Sequence, residues 1–122
     1  MASKKKTLVL GASDNPARYS NLAIQKMRAY GIPVVAVGRK DSQVGDVQID
    51  KSKTPHEDVD TISVYMNADH QKEYYDYILS LKPKRIIFNP GAENDELAAL
   101  AAKQDIKTME ACTLVMVTTG QY

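Results

Sequence analysis

The chain alternates between short, almost unbroken apolar runs and longer stretches in which apolar residues recur every three or four positions. TLVL at 7–10 is the first run, and the turn GASDNP follows it at 11–16. From about Ser20 the period becomes helical. Ala23, Met27 and Tyr30 share a face, Ile24 lies beside it, and Gly31 is a natural stop. Pro16 lacks the N–H that a first helical turn leaves unpaired, so it suits either a helix start or a turn. PVVAV at 33–37 is a second apolar run. Its lack of polar alternation predicts burial on both faces, as in a parallel sheet.

Residues 41–58 are polar and punctuated, with at most a brief strand near 47–49. A further strand is predicted over 59–66 and a helix over about 69–81, with Tyr74, Ile78 and Leu81 along one face. Lys82-Pro83 ends that helix, and RIIF at 85–88 is the next strand. Glu93, Asn94, Asp95 and Glu96 crowd the first turn of another helix, where acids interact favourably with its N-terminal dipole. Leu97, Leu100 and Ala101 give it a packing face. A short last strand is predicted over 106–109, and the tail 112–122 reads best as a short helix. Strands alternating with helices predict an α/β class, a three-layer Rossmann-like fold with a mostly parallel doubly wound sheet.

Composition narrows the partners. A chain of 122 residues, 43% hydrophobic and 25% charged, is expected to form a single domain over 1–122. A net charge of +1 and no basic–aromatic interleaving point away from nucleic acid. The basic run Lys4-Lys5-Lys6 reads as a solvated end. No signal peptide is apparent and no apolar run approaches the roughly 18 residues of a membrane span, so no membrane partner is expected. One cysteine excludes an internal disulfide framework and favours a reducing compartment, for which cytoplasmic is the default.

In this architecture ligands meet the carboxyl ends of the strands. Five such places follow from the pattern: residues 11–16, 38–40, 66–69, 89–92 and 110–112. In the first, Gly11 permits a close turn and Ser13 and Asn15 supply donors. Amides at the next helix start suit a phosphate, and Arg18 adds a charge-assisted contact. Ser, Asn and Asp also make ordinary turns and caps. At the second, an NAD site wants an acid for the ribose hydroxyls, whereas Gly38-Arg39-Lys40 offers cations that suit a phosphorylated ribose, as in NADP or coenzyme A. The alternative is a solvated basic turn. Met66 and Asn67 are candidates to line an apolar slot with polar ends, and the Gly91 loop to face an anion or a pantetheine arm. Cys112 is either a thiol at the ligand edge or a small buried hydrophobe. His56 reads as surface, and so does His70 at a helix start. A Cys–His nucleophile would require Cys112 to meet His70 in space. No metal-ligand spacing is present.

With these features in place, the chain resembles the small single-domain CoA-binding proteins, similar in fold to the N-terminal CoA-binding domain of the succinyl-CoA synthetase alpha subunit. The resemblance rests on VLGASDNPARYSN at 9–21, GIPVVAV at 31–37, Gly45, DVDTISVY at 58–65, Gly91-x-x-Asn94 and Cys112. It implies coenzyme A, or an acyl-CoA, bound along the carboxyl edge of the sheet. Gly11, Ala12 and Ser13 would meet the pyrophosphate with Arg18 near, Arg39 or Lys40 would take the 3′-phosphate, and Met66 and Asn67 would line the adenosine or pantetheine path. The chain departs from the family pattern where Met66 and Ala111 replace frequent arginines, and where Gly38-Arg39-Lys40 replaces a common Asn-Pro. The synthetase's phosphorylated histidine and nucleotide-hydrolysing subunit have no room here, so the expected role is binding without independent catalysis. A homodimer or a partner enzyme is a candidate partner. A small NADP-dependent enzyme and a ligand-free interaction protein are the alternatives.

Overall fold

Residues 5–122 are described by a computed structural model of the chain, so Lys4 of the basic run lies outside the described residues. The strands are β1 (Thr7–Ala12), β2 (Val34–Gly38), β3 (Ser42–Val44), β4 (Val47–Asp50), β5 (Thr61–Val64), β6 (Arg85–Phe88) and β7 (Lys107–Glu110). They form one sheet in the order β3-β4-β2-β1-β5-β6-β7, in which only the β3–β4 pair is antiparallel. The helices are α1 (Tyr19–Ala29), α2 (Ala68–Gln71), α3 (Tyr75–Ser80), α4 (Asp95–Ala102) and α5 (Thr113–Thr118). The α/β class and the mostly parallel sheet expected from the sequence are found.

The sheet has a core on each face, because successive side chains of a strand point to opposite sides. Leu8 and Leu10 of β1 join Ile62, Val64, Ile78, Ile86 and Leu97 beneath α3 and α4. Val9 joins Ala23, Ile24, Met27, Ile49 and Val117 beneath α1 and α5. The large aliphatic side chains among these are wholly buried, each contributing about 1.5–3 kcal/mol relative to exposure.

Three local expectations change. The polar stretch 41–58 contains a hairpin, in which Val44, Val47 and Ile49 are buried while Gln43 and Gln48 face solvent. Its turn uses Gly45 at φ +57, and Arg28 of α1 clasps Asp46 at 2.8 Å. The helix expected over 69–81 is broken into α2, a 3₁₀ turn at Lys72–Tyr74, and α3. The tightened turn falls among Tyr74, Tyr75 and Tyr77, aromatic residues with lower helix propensity. Tyr30, expected on the packing face of α1, is the exposed residue at its C-terminus.

The basic run is also less free than its composition implies, since Lys5 and Lys6 donate to the main-chain oxygens of Tyr122 and Glu57 at 2.7 and 2.8 Å. At this amino edge of the sheet, buried Arg85 donates to Thr61 Oγ1 at 2.7 Å and to the Tyr122 main-chain oxygen at 3.0 Å. Its guanidinium lies 4.4 Å from the centre of the Tyr122 ring, whose hydroxyl pairs with that of Thr7. No helix among the described residues is long and apolar enough to cross a membrane.

Gly38 ends β2 where neighbouring backbone leaves no space. A Cβ there would sit 2.4 Å from the Ala12 carbonyl oxygen and 2.8 Å from Ile49 Cγ2. The carbonyl belongs to the sheet and has little room to yield, so Gly38→Ala is expected to cost about 1–3 kcal/mol as overpacking. A lowered midpoint in urea unfolding at unchanged slope is the expected result.

Candidate functional site

The strand order reverses at β1: β2 follows it on one side through α1, while β5 is reached later on the other. Loops leaving the carboxyl ends of β1 and β5 therefore diverge and open a crevice. Gly11 lies at this reversal, at φ +90. A Cβ there would meet Met66 N at 3.0 Å and the Tyr65 carbonyl carbon at 3.3 Å, so the loops approach this closely because the residue is glycine. Ala12 is buried and pairs with Gly38 across β1 and β2, after a register shift between Leu10 and Ala12.

The GASDNP turn is shaped by its own polar side chains. Ser13 Oγ accepts the Asn15 N–H at 3.1 Å, Asn15 Oδ1 accepts the Ala17 N–H at 3.0 Å, and Asn21 Nδ2 donates to the Ser13 carbonyl at 3.1 Å. Ser13 and Asn15 thus serve the turn as acceptors, with their O–H and amide N–H remaining as donors. Arg18 is exposed at the start of α1, whose first turn carries no acidic residue to offset the positive end of its dipole.

The two cations at the end of β2 reach opposite walls. Lys40 Nζ pairs with Asp14 Oδ2 at 3.3 Å, tying itself to the β1 turn. Arg39 Nη2 lies 3.5 Å from His70 Nδ1, on the segment that follows β5. Asn67 caps α2 by accepting the His70 N–H at 3.0 Å, and Met66 is half-buried against the α3/α4 core. Gly91 is exposed at φ +93, and its N–H donates to Glu93 Oε1 at 3.0 Å. Cys112 is half-buried just before α5. No hydrogen bond joins Cys112 to His70 among the described residues, and no cluster of three or more His, Cys, Asp and Glu there fits a metal.

Behind the edge lie two polar networks that the sequence did not reveal. Asn89 Nδ2 donates to Ser63 Oγ and to the Val64 carbonyl, each at 2.9 Å, while its Oδ1 accepts the Thr113 N–H at 2.8 Å. Ser63 and Thr113 share a 2.8 Å hydroxyl contact. In the second, buried Gln71 Nε2 donates to the carbonyls of Met66 and Ala92 at 2.8 and 2.7 Å, and Asn94 Nδ2 donates to Gln71 Oε1 at 2.8 Å and to Tyr75 Oη at 2.9 Å. These bonds fix the loops after β5, β6 and β7 to one another. Their only sequence signal was an asparagine or glutamine beside an apolar run, which an ordinary turn also displays.

Tyr65 faces the α1/α5 side, and its buried hydroxyl has no partner in bonding geometry. Burial pushes its phenol up to about 12, although the nearby Ser63 and Thr113 hydroxyls oppose the shift. His56 also has an unpartnered buried Nε2. Burial lowers its pKa, Lys6 adds to that effect, and Asp50 opposes it. Two concavities are lined by other residues. One of about 280 Å³ sits between α4 and β7, and one of about 510 Å³ lies at the amino edge beside Lys6, Asp58 and Lys84.

A family model described as a CoA binding domain matches residues 5–118. An uncharacterised protein of known crystal structure is 42% identical, with a TM-score of 0.95 over 99% of this chain and 100% of its own. A Thermus thermophilus protein is 20% identical, with a TM-score of 0.87 over 98% and 91% of the two chains. A dinucleotide-forming acetyl-coenzyme A synthetase from Ca. Korarchaeum cryptofilum is similar in fold, at 14% identity and a TM-score of 0.72. There the match covers 86% of this chain and 25% of the synthetase. No curated protein matches in sequence.

Two outcomes are expected from the buried polar groups. Asn89→Ala orphans the Thr113 N–H and is expected to cost about 1–3 kcal/mol for each unsatisfied group, read as loss of unfolding free energy. Tyr65→Phe removes a hydroxyl without a partner, so stability at neutral pH is expected to hold or rise. Because burial penalises the Tyr65 phenolate and raises its pKa, this group costs the fold no stability below the ordinary tyrosine value of 10.0 and destabilises it progressively as pH rises from there towards about 12. A shallower loss of stability for Tyr65→Phe across that window is the measurable sign.

Proposed function

The chain belongs to the family of CoA binding domains, and from that premise we propose that it binds coenzyme A or an acyl-CoA across the carboxyl edge of the sheet without chemistry of its own. The observation that carries the reading is the meeting of two sequence-distant features at the strand-order reversal. One is the one-glycine turn after β1; the other is the cationic pair after β2, which spans from Asp14 to His70. In this reading the amides of Gly11, Ala12 and Ser13 and the open first turn of α1 receive the pyrophosphate, with Arg18 beside it. Arg39 takes the 3′-phosphate. Asn15, Met66, Asn67, Gly91 and Cys112 line the course of the adenosine and the pantetheine arm. The chain would then act as a carrier, a sensor or an accessory to a partner enzyme.

The two cations are not equivalent. Lys40 is neutralised by Asp14, whereas the ion pairs among the described residues leave Arg39 without an acid. Arg39→Ala is therefore expected to weaken CoA about ten- to a hundredfold, the loss of a charge-assisted contact of about 1.5–3 kcal/mol. Lys40→Ala is expected to have a smaller effect. Titration calorimetry with CoA, dephospho-CoA, NADP and NAD tests the reading. CoA is expected to bind most tightly, with Arg39→Ala bringing it down to dephospho-CoA. Equal affinity of the wild type for the two CoA forms removes Arg39 from the role. Preference for NADP, or no binding to any of the four, overturns the reading itself.

A further inference from the structure

His70 and Arg39 are two basic side chains brought together from segments 31 residues apart, with 3.5 Å between Nδ1 and Nη2. Both are exposed, and the ion pairs among the described residues, Arg28–Asp46 and Lys40–Asp14, place no carboxylate between them. A neutral imidazole tolerates the guanidinium by accepting an N–H at Nδ1. An imidazolium in the same place faces a like charge. A dianion met by the two side by side reverses that balance, because each side chain then donates a charge-assisted bond and the second positive charge becomes favourable.

The surroundings set the same requirement. On the segment carrying His70, Asp69 and Glu73 supply acids next to it and one turn on. From the loop after β4, Lys53 lies 5.0 Å from the centre of the Tyr74 ring and donates to the Glu73 main-chain oxygen. Burial, aided by Glu73, raises the same Tyr74 phenol, and Arg39 opposes that rise. From β2's end, Lys40 is occupied by Asp14. Arg39 and Lys53 thus both lie near half-buried Tyr74, and His70 adjoins Arg39.

Resting on the CoA reading, we propose that His70 is a second ligand of the ribose 3′-phosphate, holding it beside Arg39, and that binding loads a proton onto its imidazole. This pairing makes affinity depend on pH in the range where histidine changes charge. Above about pH 6.5 the phosphate monoester is already mostly dianionic. Deprotonation of the imidazole then removes one of its two cations, so affinity falls as pH rises, by at most about tenfold per pH unit for one linked proton.

Calorimetry of CoA and dephospho-CoA at pH 6.5, 7.5 and 8.5, in buffers of different ionisation enthalpy, reads both affinity and proton uptake. The wild type is expected to take up protons with CoA and not with dephospho-CoA, and to lose CoA affinity as pH rises. His70→Gln is expected to abolish the uptake and flatten the pH dependence, while Arg39 keeps CoA tighter than dephospho-CoA. Uptake that persists in His70→Gln, or is absent from a wild type that still prefers CoA, overturns the role of His70 and leaves the CoA reading standing. Failure of the wild type to bind CoA overturns both, whereas binding that does not distinguish CoA from dephospho-CoA overturns the roles of His70 and Arg39 and leaves CoA binding itself standing.

Discussion

The passage of β1's last residues between two other backbones constrains everything built on the carboxyl edge. Gly11 lies against the main chain of Tyr65 and Met66, and Ala12 presents its carbonyl to Gly38. Hydrogen-bonded strands normally keep about 4.7–4.9 Å between backbones, with side chains directed away. Here the strands give way to loops while still in contact, so any Cβ would hold the walls apart. Removing two Cβ atoms brings three loops, from distant parts of the chain, to one line. The register shift between Leu10 and Ala12 marks where the sheet ends and that line begins.

A line of loops is useful only if it keeps its shape. The buried amides supply that, since Asn89 binds β5 to the start of α5, and Gln71 and Asn94 bind the loop after β5 to that after β6. Neutral side chains do this work at lower desolvation cost than buried ions would. Charge is reserved for the outer rim, where Arg39 and Lys40 are solvated and can exchange partners. The crevice therefore has a rigid neutral floor and an adaptable cationic lip.

Much of the fold was legible because short apolar runs and helical periodicity each follow from one layer packing on another. The strands at 7–10, 33–37 and 85–88 needed only their own residues to be recognised. The β3–β4 hairpin was hidden because three buried side chains, Val44, Val47 and Ile49, are few against the polar residues around them. The site was legible where a residue type carries its chemistry openly, as with Arg39, or its backbone freedom, as with Gly11. Lys40's pairing with Asp14 and the encounter of Arg39 with His70 join residues 26 and 31 positions apart in the chain, with whole strands and helices between them. No local pattern records such meetings. Tyr75, Asn94 and Gln71 were likewise invisible as a group, since each alone is an ordinary helix-start or surface residue.

The clip between Thr7 and Tyr122 joins positions 115 residues apart across the amino edge. Closing so long a loop costs entropy before any contact repays it, so pairings of this kind form late and slow the approach to the native state. β1 is the middle strand of the sheet and precedes every other strand in chain order, yet Thr7 and Arg85 receive their Tyr122 partner only when residue 122 has been made. During synthesis the face beneath α1 waits for α5 with its apolar residues uncovered, and that interval is when the nascent chain is most exposed to aggregation.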